Sequence, residues 1–143
     1  MKKLIIPLIT AFSLLLPSAY AMQGEEVVIS VSVGGEKLVF EDQKPVIING
    51  RTLIPVRSVM EALGAQVEWI DEEKSAVVSK GDTTLTLVIG DNTMRVSGSD
   101  EGTPLDAAPM LLNGRTILPI RAVAEAFGAR VGWDEVTKTV IID

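Results

Sequence analysis

The apolar residues of this chain change their spacing twice between Val46 and Ser79. In "VIINGRTLIPV" (46–56) two apolar runs flank Asn49-Gly50, the pair preferred in a two-residue type I′ turn because both positions need positive φ. The pattern predicts a tight β-hairpin. Pro55 then stops the strand and sits near a helix start, where its missing N–H does no harm. From there Val56, Val59, Met60 and Leu63 follow the i, i+3, i+4, i+7 spacing of a single helical stripe. Gly64 comes next, as expected of the positive-φ residue that closes a helix. A helix of about eight to ten residues is marginal alone in water, so a sheet must hold it through that stripe. Ala65, Val67 and Trp69 then alternate with polar residues. A polar turn containing Lys74 and another apolar run complete a second hairpin.

The whole phrase returns. Residues 49–79 align without gaps to 113–143, and Asn49, Gly50, Pro55, Arg57, Glu61, Gly64 and Trp69 recur as Asn113, Gly114, Pro119, Arg121, Glu125, Gly128 and Trp133. Ile120, Val123, Ala124 and Phe127 repeat the helical stripe. A weaker echo lies upstream, where "VSVGGEKLVF" (31–40) and "LVIGDNTMRV" (87–96) both read as hairpins with glycine-containing turns. The second copy carries an insertion in "SGSDEGTP" (97–104), which is small, polar and acidic and reads as an exposed loop. The expected architecture is α+β: twisted antiparallel sheets with short helices. It is built as two tandem hairpin–hairpin–helix–hairpin repeats, about 27–79 and 80–143.

The N-terminus narrows the setting. Lys2 and Lys3 precede an apolar stretch from Leu4 to Leu16, and Ala19-Tyr20-Ala21 is a small-residue cleavage site. That stretch is shorter than the roughly 18–20 residues a membrane span needs. Residues 1–21 are expected to be a secretory signal peptide, leaving one stalk-like domain over 22–143, secreted, cell-surface associated and without a transmembrane segment. Loss of Lys2 and Lys3 takes the formal charge from −6 to −8. With no cluster of Lys or Arg, nucleic acid is not an expected partner. The chain has no cysteine, so stability must come from a hydrophobic core. It has no histidine, and its one tyrosine, Tyr20, leaves with the signal peptide. The usual neutral-pH general base and the commonest transition-metal ligands are missing. No catalytic residue, cofactor or metal site is expected, and the chain is not expected to be an enzyme.

The motif N-G-R-T-[LI]-[IL]-P-[VI]-R-x-V-x-E-A-[LF]-G-A-x-V-x-W, present twice, resembles the copper amine oxidase N-terminal domain-like family, also called stalk domains. The resemblance covers roughly Val31 to Asp143. It implies a twisted antiparallel sheet wrapped around a helix, in a non-catalytic extracellular module. It does not carry amine oxidase activity here. Those oxidases hold copper with three histidines and build a quinone from an active-site tyrosine, and this mature chain has neither residue type.

Few side chains remain as ligand-binding candidates. Arg51 with Arg115, or Arg57 with Arg121, could hold a carboxylate or phosphate. The structural alternative is bracing: Arg57 and Glu61 stand i, i+4 on the helix, as do Arg121 and Glu125. The repetition favours bracing. Trp69 and Trp133 could stack on sugar rings, but each is in phase with a valine two residues earlier, which places it in the core. The acidic stretches at Asp71-Glu72-Glu73, Asp91-Asn92 and Asp100-Glu101-Gly102 lack the spacing of a calcium loop and read as solvated turns. The expected function is a secreted, non-catalytic binding or scaffold module of the bacterial cell surface or wall. Its partner would be a cell-wall glycan or a surface protein. The alternatives are a protein–protein or oligomerisation module using sheet edges, and, far behind, an uncharacterised hydrolase.

Overall fold

A computed structural model describes residues 28–143; the signal peptide expected over residues 1–21 lies outside them. The first part of the chain forms β1 (Ser30–Val33), β2 (Glu36–Lys37), β3 (Val46–Ile48), β4 (Arg51–Pro55), α1 (Val56–Ala62), β5 (Gln66–Ile70) and β6 (Ser75–Lys80). The second forms β7 (Thr83–Val88), β8 (Thr93–Val96), β9 (Thr103–Pro104), β10 (Met110–Leu112), β11 (Arg115–Leu118), α2 (Ile120–Ala126), β12 (Val131–Asp134) and β13 (Thr139–Ile142). The described chain is mostly β-sheet with two short helices, an α+β arrangement.

Local chemistry accounts for the joints. Asn49 and Gly50 turn with φ of 52° and 76°, and Asn113 and Gly114 with 52° and 75°, closing the β3–β4 and β10–β11 hairpins. Pro55 and Pro119 occupy the residue just before each helix, where no intrahelical N–H is required. Each helix runs seven residues, slightly shorter than its pattern suggests. Both end in a Schellman motif. Gly64 N–H bonds to Glu61 C=O and Ala65 N–H to Met60 C=O, and Gly128 and Ala129 bond to Glu125 and Ala124 in the same way.

The strands form three sheets, ordered β10-β11-β4-β3, β5-β6-β7-β8-β9 and β12-β13-β1-β2. In the first, the two Asn-Gly hairpins meet along β4 and β11, with Ile54 opposite Leu118, both fully buried. One hydrophobic core joins both parts. It takes Val31, Ile54, Val59 and Met60 from the first and Leu85, Leu118, Val123 and Ile142 from the second. The helices lean on it through the expected stripe: Val56, Val59 and Met60 on α1, and Ile120, Val123 and Ala124 on α2. Burying side chains of this size is worth about 1.5–3 kcal/mol each for the larger ones. That is what holds a helix of two turns in place.

Two expectations need correction. The sheets are not all antiparallel, because β1 runs parallel to β13, with Val31 opposite Val140 and Val33 opposite Ile142. At the matching junction β6 and β7 are linked through Gly81-Asp82, and so short a connection forces an antiparallel pair. β1 and β13 come from opposite ends of the described chain, so no such link fixes their direction. The stretch 97–104 is also not wholly loop. Its end, Thr103–Pro104, is β9, paired to β8 at the sheet edge, where proline is tolerated.

Candidate ligand-binding cleft

β5 and β12 are edge strands, and this decides what their tryptophans do. Trp69 lies opposite buried Ala76 and Val67 opposite buried Val78, so Trp69 does share the core-facing side of its sheet. The same holds for Trp133, opposite Val140. Yet Trp69 is only half-buried and Trp133 is 42% exposed, so the expectation of core tryptophans is corrected. Each lies on the expected face, but at its rim, where an indole overhangs the core.

Both indoles are held in orientation. Trp69 Nε1–H donates to Asp71 Oδ1 at 3.3 Å, and Lys74 donates to the same oxygen at 3.0 Å. Lys74, followed by these indole and Coulomb contributions, holds the Asp71 carboxyl below its ordinary value. The second copy repeats the trio, with Trp133 donating to Glu135 at 3.5 Å and Lys138 paired to Glu135. Lys74 and Lys138 both turn with φ of 52°.

The helical arginines brace the same strands. Arg57 Nη1 donates to Val67 C=O at 2.9 Å, and Arg121 Nη1 to Val131 C=O at 2.8 Å. Their pairs with Glu61 and Glu125 are long, 3.6 Å each, and more than half exposed, worth about 0–1 kcal/mol. The carbonyl bond matters more. It ties each helix to a sheet edge and occupies an acceptor that would otherwise invite a further strand.

Arg51 and Arg115 part company. Arg115 Nη2 meets Asp42 Oδ2 at 2.5 Å, and beside it Asn113 Nδ2 donates to Gln43 Oε1 at 2.7 Å. Arg51 is exposed and forms no ion pair among the described residues. The structure therefore pairs neither Arg51 with Arg115 nor Arg57 with Arg121 at a common site. It brings Arg57 and Arg115 to the walls of a single cleft of about 640 Å³.

Four segments build that cleft. Val67, Trp69 and Ala76 come from the β5–β6 hairpin, and Pro55 to Ser58 from the end of β4 and the start of α1. Leu111 and Gly114 to Thr116 come from the β10–β11 hairpin, and Val39 to Gln43 from the segment between β2 and β3. The floor is apolar and the rim charged, a combination suited to orienting a ligand that buries an apolar group. The corresponding start of α2, with Pro119 and Arg121, lines a smaller hollow of about 430 Å³ in which Trp133 takes no part. Sequence reasoning missed Asp42, Gln43, Phe40 and Leu111. Nothing local in "VFEDQKP" marks it as a wall for a hairpin some seventy residues further on.

The acidic stretches are turns. Asp91 Oδ1 accepts Thr93 N–H at 2.9 Å, and Ser99 bonds both N–H and C=O of Glu101. Among the described residues no group of three or more acidic side chains is placed to hold a metal ion, and no helix is long and apolar enough to cross a membrane.

The chain is similar to a protein from Brevibacillus choshinensis named "Protease inhibitor", at 34% identity over 115 residues, covering 79% of this chain and 34% of that protein. It thus spans about a third of that relative's length. No solved structure matches significantly. The family model for the copper amine oxidase N-terminal domain matches residues 32–142, nearly all of the described chain. On that match the chain belongs to the copper amine oxidase N-terminal domain family.

Proposed function

We propose that this chain is a secreted, non-catalytic binding module of the bacterial cell surface, that its two repeats act as a single scaffold, and that it takes a polypeptide at the Trp69 cleft. The observation that carries this reading is the cleft itself. Its walls come from both repeats, its indole is pre-oriented by Asp71, and most of its rim charges, Glu41 apart, stand as ion pairs. A rim of paired charges around an apolar floor suits binding, and serine or threonine nucleophile chemistry would lack its histidine partner. The similarity to a protein named for inhibiting proteases favours a protein as ligand.

A second reading, attachment to wall glycan, is favoured by the 42% exposure of Trp133, since exposed indoles stack on sugar rings. Emission from Trp69 alone, in the Trp133→Phe protein, separates the two. A polypeptide ligand gives a saturable emission shift with surface proteins and none with purified wall glycan. A shift with glycan only, or retention on wall that Trp133→Ala abolishes, would replace the first reading with the second.

A further inference from the structure

We propose that the cleft binds the C-terminal end of an extended peptide, with the free carboxylate on Arg115 and Arg57 and a bulky apolar side chain on Trp69. The inference rests on the binding reading above and deepens it. On a chain of formal charge −6, two guanidinium groups line one cleft with an apolar floor. Neither is used up. Arg57 donates one hydrogen bond to Val67 C=O, and Arg115 one to Asp42, out of five N–H donors each. Arg57's carboxylate partner stands off at 3.6 Å and is more than half exposed, so a ligand carboxylate competes with it easily.

The cleft is also lined by Glu41, Asp42 and Asp71, with Lys74 beside Asp71, and these three carboxylates would repel a dianion such as phosphate more strongly than a carboxylate. The charge therefore fits a monoanion. A strand edge supplies the extended backbone. In the β10–β11 hairpin, closed by Asn113-Gly114, residues 112 and 115 form the hydrogen-bonded pair next to the turn. The N–H and C=O of Leu111, one residue along, therefore point away from β11 at an open edge, and Leu111 lines the cleft. On the other side, β5 has its Val67 carbonyl closed by Arg57. A peptide added to β10 would run its backbone along that edge, set an apolar side chain against Trp69 and end at the arginines.

The test uses the Trp133→Phe protein and a hexapeptide with valine at alternate positions ending in phenylalanine, made as the free acid and as the C-terminal amide. The acid should shift Trp69 emission and bind at least about tenfold tighter than the amide, as for loss of one charge-assisted contact. Arg115→Gln should remove that difference. Arg51→Gln, altering the counterpart outside the cleft, should leave it intact. Equal binding of acid and amide would overturn the carboxylate contact while leaving the module's binding role standing. No shift with either peptide would overturn the inference, whatever surface proteins do at the same cleft. An unchanged acid preference in Arg115→Gln would do so too.

Discussion

Residues 27–79 expressed alone will show no cooperative melt. The fragment keeps the β3–β4 hairpin, α1 and nearly all of the β5–β6 hairpin, but loses the neighbours from residues 80–143 that complete their burial. β4 loses β11, β1 loses its parallel partner β13, and β6 loses β7. Val31, Ile54 and Val78, fully buried in the intact chain, would face water. A domain of about 60 residues already buries only about 60% of its unfolded surface, and this chain has no disulfide to compensate. Residues 80–143 should behave alike. Circular dichroism during heating checks both fragments. A sharp transition in either one would mean that the repeats are independent domains.

The second large effect is at the meeting point of the two hairpins. Leu118→Ala should cost about 2–5 kcal/mol, because Leu118 is fully buried and its surroundings relax only in part. Ile54→Ala, across the same strand pair, should cost a similar amount. Since the two residues stand opposite each other in one core, the double substitution should deviate from additivity by about 0.5 kcal/mol or more. Leu111→Ala, 44% exposed, should stay within about 0.5 kcal/mol of the parent. Urea unfolding of the four variants decides it. Strict additivity would deny that β4 and β11 carry a shared core.

What the sequence made legible was local. Asn49-Gly50, the helical stripe from Val56 to Leu63 and the closing Gly64 each act over a few residues, and each appears where its pattern places it. The Arg57–Glu61 pair is legible for the same reason, since i, i+4 spacing alone brings the two together. What escaped depends on residues far apart. The parallel β1–β13 pair joins the ends of the described chain without a connecting turn, so no turn residue announces it. The depth of Trp69 depends on whether β5 is central or at an edge, and alternation along one strand reads only which face a residue takes. The cleft too depends on residues far apart in the chain. It forms because an edge strand overhangs beside a hairpin from the other repeat, and the 38–45 segment folds over to meet Arg115 through Asp42.

The family name draws attention to oxidase chemistry, whereas the role proposed for the cleft is recognition. The charged residues lining the cleft, Arg57, Lys74 and Arg115 against Glu41, Asp42 and Asp71, balance one another on an acidic protein. Arg115–Asp42, Lys74–Asp71 and the looser pair of Arg57 with Glu61 outside the cleft stand as ion pairs. Each is exposed enough to exchange its partner for a ligand group. The β5 hairpin fixes the indole, and the repeated arginine fixes the hairpin.

Binding at this cleft has a direct measurement. A photo-crosslinking residue placed at Ser58, on the rim, is compared with the same residue at Asp82, on the β6–β7 turn outside the cleft. Both purified proteins are added to intact bacterial cells and irradiated there. The binding reading predicts discrete adducts from Ser58 and none from Asp82. Equal labelling at both positions, or none at Ser58, would contradict it.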